Sequence, residues 1–220
     1  RTNSPFFHSW RNSGGWKFMI NRLSLDVSKH SNFIGCWMLD DSSVCNNLIE
    51  FFESNKKSQR PGVVGNQNLS ESIKKSTDMR IIPTDLKKQE FRVVSTYIEY
   101  LNICYLDYLE QWGFLKSFLP GMNIGAFNIQ KYDEGGHFRR LHSERTSLNS
   151  LHRILAWMTY LNDVPESGET EFPMFGLKVK PETGKTLIWP AEWTHAHLGS
   201  VVKKGTKYII TGWMHFPDNT

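Results

Sequence analysis

Gly205-Thr206-Lys207-Tyr208-Ile209-Ile210-Thr211-Gly212-Trp213 concentrates β-branched and aromatic residues between two glycines, as an extended strand requires. Read as a strand, it turns Lys207, Thr211 and Trp213 to one face. Four short runs of the same kind come before it, at 125–132, 153–161, 176–179 and 186–189. Gly135, Gly136, Gly168, Gly184 and Gly205 fall between the runs as turn signals. Strands this short and this regularly punctuated suit two facing sheets, so the expected class is α+β, mainly β, with a jelly-roll, cupin-like core at 120–216.

Upstream, the period of the apolar residues changes. Asp40-Asp41-Ser42-Ser43 offers helix caps, and Val44, Leu48, Ile49, Phe51 and Phe52 recur at helical spacing, which predicts a helix ending near Lys57. Phe91, Val94, Tyr97, Ile98, Leu101, Tyr105, Tyr108 and Leu109 form one face of a longer helix expected between Lys87 and Phe118. Residues 40–118 are thus expected to be helical support for the sheets. The Gly-, Asn-, Ser- and Lys-rich stretch 58–80 reads as a mobile loop and a candidate lid. Residues 1–32, with isolated aromatics and no sustained period, read as an extension on a single domain, 33–220.

The 220 residues, 39% hydrophobic and 22% charged, suffice for one well-buried domain. A net charge of +4 without a nucleic-acid motif gives no reason to expect nucleic-acid binding. Cys36, Cys45 and Cys104 are odd in number and far apart, which argues against a disulfide framework or zinc knuckle and fits a reducing, cytoplasmic setting. No apolar run approaches the roughly 18–20 residues that span a bilayer, so no membrane partner is expected. Residues 1–10 have no signal-peptide pattern, and because the sequence opens on Arg1 a targeting segment ahead of it is left open.

His142-Ser143-Glu144 sets an imidazole and a carboxylate at i and i+2, on one face of an extended chain. A third ligand from a distant strand would complete two histidines and a carboxylate on one face of an octahedron, with the opposite positions free. His197, 53 residues beyond Glu144, is the candidate. His137 is a rival to His142, but its i+2 neighbour is Arg139, a cation that repels a metal.

Around these residues stand Tyr132-Asp133-Glu134-Gly135-Gly136-His137-Phe138, Tyr160-Leu161-Asn162-Asp163, Gly168-Glu169-Thr170-Glu171-Phe172, Trp189-Pro190-Ala191-Glu192-Trp193 and His197-Leu198-Gly199. In this order, and followed by 205–213, the series resembles the prolyl 4-hydroxylase-like branch of the Fe(II)/2-oxoglutarate oxygenases, including forms of marine phages. The match covers 120–216, and Asn32-Phe33-Ile34-Gly35-Cys36-Trp37 resembles the family's amino-terminal part more loosely.

The resemblance implies a double-stranded β-helix whose strands present Fe(II) ligands, with 2-oxoglutarate and O2 as co-substrates and ascorbate as a candidate reductant. It assigns iron to His142, Glu144 and His197. The family's basic residue for the far carboxylate of 2-oxoglutarate lies ten residues after the distal histidine, which selects His197 with Lys207. Tyr160, Thr211 and Tyr132 are expected to join Lys207 around that carboxylate. Trp213, His195 and Arg145 are expected on the substrate side, His195 as a neighbouring strand residue that either lines the site or packs beside it. Glu144 stands where most relatives have aspartate, and its presence disfavours a halogenase, which lacks the carboxylate. Ferrous iron on Glu144, with a doubly charged 2-oxoglutarate facing Lys207, makes a neutral set, as a low-dielectric pocket demands.

The expected activity is hydroxylation of an unactivated C–H bond, with peptidyl proline the leading substrate and a bacterial or phage-infected cell the expected setting. Arg139, Arg140, Arg145 and Arg153 could attract an acidic substrate, and Trp157, Trp189, Trp193 and Trp213 could wall a proline ring. The alternatives are an oxygenase acting on a free amino acid, nucleobase or other side chain, and a non-catalytic jelly-roll binding or structural protein. Nothing in the sequence indicates an oligomeric state.

Overall fold

Alternation along Arg153–Tyr160 shows how the layers divide. Leu155 and Trp157 join Phe127, Ile129, Ile210 and Met214 in a core shared with the helices. Ala156, Met158 and Tyr160 point the other way, into a second core with Ile209, Leu187, Trp189 and, from the facing sheet, Phe172, Leu177 and Val179. The strand is buried on both faces because each is covered by another layer.

The computed structural model describes residues 20–23, 32–64, 70–119 and 121–217. Its larger sheet runs Ile20–Arg22, Gly35–Leu39, Lys185–Pro190, Arg153–Tyr160, Lys207–His215, Phe127–Tyr132, Thr77–Ile81, Gln59–Pro61. The smaller runs Leu177–Val179, Thr170–Phe172, His197–Gly199, His137–His142, Lys74–Lys75. All pairings in both sheets are antiparallel. From Phe127 onward the chain passes back and forth between the sheets, except that Thr170–Phe172 and Leu177–Val179 follow each other in the smaller one and Glu166–Ser167 pairs with Val202–Lys204 apart from both; this is the expected double-stranded β-helix.

Two α-helices back the larger sheet. The first, α1 (Ser42–Ser54), starts at Asp41, whose carboxylate accepts the Ser43 N–H at 2.8 Å, and buries Val44, Cys45, Leu48 and Phe52. The second, α2 (Arg92–Gln111), is shorter than the expected 87–118. Lys88 is extended between two 3₁₀ turns, Pro83–Lys87 and Gln89–Phe91, and at the other end the chain tightens into the 3₁₀ turn Gly113–Ser117. Tyr97 of α2 ties the layers through its hydroxyl, 2.8 Å from Thr159 Oγ1, which lies 2.7 Å from Thr186 Oγ1. Gly212 fits where a side chain would not: a Cβ there would lie 2.6 Å from Phe127 Cβ and 2.7 Å from Trp157 Cζ2.

The segment 58–80 differs from the loop expected of it. Gln59–Pro61 and Thr77–Ile81 extend the larger sheet, and Lys74–Lys75 pairs with Phe138 and His137 at the edge of the smaller one. Polar composition hid Gln59–Pro61 and Lys74–Lys75, which lie at the edges of their sheets; Thr77–Ile81, paired on both sides, buries only Met79 and Ile81. Residues 65–69, the middle of the expected lid, lie outside the described residues. Residues 40–118 therefore supply strands as well as helices. Of the extension, Ile20–Arg22 pairs with Gly35–Leu39, and Arg22 Nε donates to Asp107 of α2 at 2.8 Å.

Candidate metal centre

His142 ends one strand of the smaller sheet and His197 begins its neighbour, directly opposite in register. Their ring centroids lie 4.4 Å apart. Glu144, two residues beyond His142, reaches back so that Oε1 is 3.3 Å from His197 Nε2 and 3.8 Å from His142 Nε2. One ligand atom from each of the three falls within 4.8 Å of the others, the one such group of metal-binding residue types among the described residues.

Both rings are oriented by main chain. His142 Nδ1 lies 2.8 Å from the carbonyl of Arg140, and His197 Nδ1 lies 3.0 Å from that of His195. A carbonyl only accepts, so each Nδ1 donates to main chain, and each Nε2 is the ring atom left to face a metal. Phe138 stacks on His142 at 3.8 Å, while Phe172 and Trp189 pack on His197. Burial, then the neighbouring His197, pushes the His142 pKa down to about 4, keeping the ring neutral. Burial alone would raise the Glu144 pKa, but the adjoining His197 and His142 rings and the Trp213 N–H outweigh it and hold the carboxyl at about 2. Two imidazoles with Nε2 turned to one point and an ionised carboxylate are the donor set that suits ferrous iron.

Lys207 stands farther into the space between the sheets. It is 3% exposed, donates to the Gly168 carbonyl at 2.9 Å, and lies 4.7 Å from the centre of the Tyr132 ring. Burial lowers its pKa from 10.5 to about 8, against a smaller upward pull from Glu169. A Cβ at Gly199 would be 3.7 Å from Nζ, and Gly199 is two residues from His197 on one strand, roughly 7 Å along it. The three-residue cluster and the buried ammonium are therefore within reach of one short dicarboxylate.

The other expected residues divide. Trp213 joins the centre, its indole N–H donating to Glu144 Oε2 at 2.6 Å. The Tyr160 hydroxyl is bonded to Thr170 Oγ1 at 2.6 Å, the Tyr132 hydroxyl donates to Gln130 at 2.7 Å, and Thr211 donates to the Trp157 carbonyl at 2.8 Å. Arg145 is ion-paired with Glu192. His195 lies in a 3₁₀ turn, Trp193–His195, and not on a strand; its Nε2 is 2.8 Å from the Asn32 carbonyl. His137 differs from His142 by five positions, so strand parity sends it to the opposite face.

Of the four tryptophans, Trp157 is buried against the helices, Trp193 is 69% exposed, and Trp189 packs on His197. They do not form one wall. The roles of Phe138 and Arg153 were not foreseen. Phe138 could have been found from its four-residue step to His142, which puts both on one face. The guanidinium of Arg153 stacks 3.6 Å over the Trp213 ring.

Residues 127–215 match the family described as the 2OG-Fe(II) oxygenase superfamily. The probable prolyl 4-hydroxylase 9 of Arabidopsis thaliana is 29% identical over 139 residues, 51% of this chain and 48% of that protein. The chain thus spans about half the length of that relative. Among solved structures, a prolyl-4-hydroxylase of Pseudomonas putida has a TM-score of 0.65 at 16% identity, covering 84% of this chain and 94% of that one. A Trichoplax adhaerens prolyl hydroxylase, in complex with a peptide fragment of the hypoxia inducible factor oxygen degradation domain, has a TM-score of 0.67 at 15% identity, covering 84% of each.

Proposed function

We propose that this chain, whose residues 127–215 match the 2OG-Fe(II) oxygenase superfamily, is an Fe(II)- and 2-oxoglutarate-dependent dioxygenase that hydroxylates an unactivated C–H bond, with peptidyl proline as substrate. His142, Glu144 and His197 hold the iron, and the donor set fits it: two fixed Nε2 lone pairs and an ionised carboxylate oxygen. When bound, iron with 2-oxoglutarate and O2 supplies the oxidation, with succinate and CO2 as by-products.

The observation that carries this reading is Lys207. A buried ammonium whose one hydrogen bond is to a carbonyl is expensive unless an anion completes its surroundings. The far carboxylate of 2-oxoglutarate provides that anion, beside the ring of Tyr132. Tyr160 and Thr211 keep their hydroxyls on protein partners and act by shaping the pocket rather than by holding the acid. Phe138, Phe172 and Trp189 fix the ligand rings.

A peptide substrate is favoured over a free amino acid by the likeness to the probable prolyl 4-hydroxylase of Arabidopsis thaliana and by the peptide bound to the Trichoplax adhaerens structure. Free, buried Cys36, Cys45 and Cys104 suit a reducing compartment, as a ferrous centre does. No helix among the described residues is long and apolar enough to cross a membrane.

The test is turnover of 2-oxoglutarate with proline-containing peptides, free amino acids and oligonucleotides, read as succinate release and as gain of one oxygen atom by mass. Stimulation by peptides alone supports the proposal. Stimulation by another class moves the substrate, and no succinate under any condition refutes the enzyme reading.

A further inference from the structure

Glu144 stands where the family resemblance leads one to expect aspartate, and the extra methylene gives its carboxylate freedom to offer an ion one oxygen or both. In the structure the two oxygens are divided. Oε1 faces the histidines, at 3.3 Å from His197 and 3.8 Å from His142. Oε2 accepts the Trp213 indole N–H at 2.6 Å. The indole is itself held in place. Arg153 lies 3.6 Å over its ring, and the same guanidinium donates to the Glu144 main-chain carbonyl at 3.1 Å. Backbone and side chain of Glu144 are thus gripped from one side, by two residues from neighbouring strands of the larger sheet, Arg153 at the start of one and Trp213 near the end of the other.

A short N–H bond to an ionised oxygen is strong, and turning Oε2 onto a bound ion would break it. We infer that Trp213, backed by Arg153, is a positioning residue that keeps Glu144 a one-oxygen ligand and so leaves 2-oxoglutarate a coordination position that a two-oxygen glutamate would occupy. The inference rests on the metal-centre reading above. It gives the departure from aspartate a structural counterpart: the longer arm is accommodated because the larger sheet holds its far oxygen.

The experiment compares the full chain with its Trp213→Phe variant, which keeps an aromatic ring and removes the N–H. Mn(II) is the probe, because water-proton relaxation counts the waters on the bound ion without any turnover. We expect the variant to bind Mn(II) no more weakly than the wild type, with one fewer bound water. Its affinity for 2-oxoglutarate in the Mn(II)-loaded protein should fall about tenfold, the low end of what losing such an outer hydrogen-bond partner costs. In a Glu144→Asp background the same change should have no further effect, which a merely structural role for the indole would not produce. Should Trp213→Phe not fold, Arg153→Met, which loses the cation under the indole, should move both readouts in the same direction. An unchanged water count and unchanged 2-oxoglutarate affinity in a folded variant overturn the inference and leave the metal centre standing. If the wild type binds no Mn(II), the centre itself falls and the inference with it.

Discussion

Replacing Lys207 by methionine should make the ligand-free protein more stable while abolishing its response to 2-oxoglutarate. The ammonium is 3% exposed, and burial takes its pKa from 10.5 to about 8. At neutral pH that displacement amounts to roughly 3 kcal/mol against folding. Methionine has similar volume and no charge to desolvate, so it recovers this, less about 1 kcal/mol for the lost bond to Gly168. The net gain of about 2 kcal/mol raises the melting temperature of a chain this size by roughly 4–8 °C. The sign fixes the pH window as well. Between about 8 and 10.5 the unfolded lysine holds a proton that the folded one has released, so wild-type stability rises with pH across that range. The variant should lack this rise. With Mn(II) present, 2-oxoglutarate at about a hundred times its Kd should stabilise the wild type by roughly 2.7 kcal/mol and the variant not at all. Thermal melts with and without the acid measure all of these. A Lys207→Met protein that melts below the wild type without ligand, or still gains from 2-oxoglutarate, refutes the reasoning.

Binding of 2-oxoglutarate by the wild type should weaken as pH rises through about 8, because its carboxylate needs the charged lysine; calorimetry across that range should also show proton uptake at the alkaline end. His142→Ala should abolish Mn(II) binding whereas His137→Ala should leave it intact, so equal losses in equilibrium dialysis would contradict the assignment of His142. Gly212→Ala should cost about 1–3 kcal/mol in urea unfolding, since its methyl group would press on Phe127 and Trp157; a neutral effect would show that the helix layer is looser than described.

The sequence carried the fold unevenly, for physical reasons. Strands buried on both sides, such as Arg153–Tyr160 and Lys207–His215, are rich in β-branched and aromatic residues and could be read directly. Those of the smaller sheet are short or polar and show little pattern; Thr170–Phe172 and Lys74–Lys75 exist because a neighbour pairs with them. The helix expected between 87 and 118 overruns α2 because the turns that flank α2 also carry apolar residues packed on the same core, Leu86 and Phe91 before it and Leu115 after it. At the site, i, i+2 parity paired His142 with Glu144, a local property of the chain, whereas His197 and Lys207 were selected by the family resemblance through its ten-residue step. The hydroxyls of Tyr160 and Thr211 were harder, because their partners, Thr170 and the Trp157 carbonyl, are set by tertiary register. His195 shows the same limit: its neighbours in sequence suggest a strand, but its ring is fixed by the carbonyl of Asn32, far away in the chain.

The central claim is that His142, Glu144 and His197 hold Fe(II) while Lys207 anchors 2-oxoglutarate beside it. Anaerobic titration of the purified chain with Fe(II) and 2-oxoglutarate tests it most directly, through the visible metal-to-ligand charge-transfer absorption of the chelate. The account predicts a saturable band that needs both additions and is absent in His142→Ala. A wild-type protein that binds both components yet develops no band, or an undiminished band in His142→Ala, would contradict it.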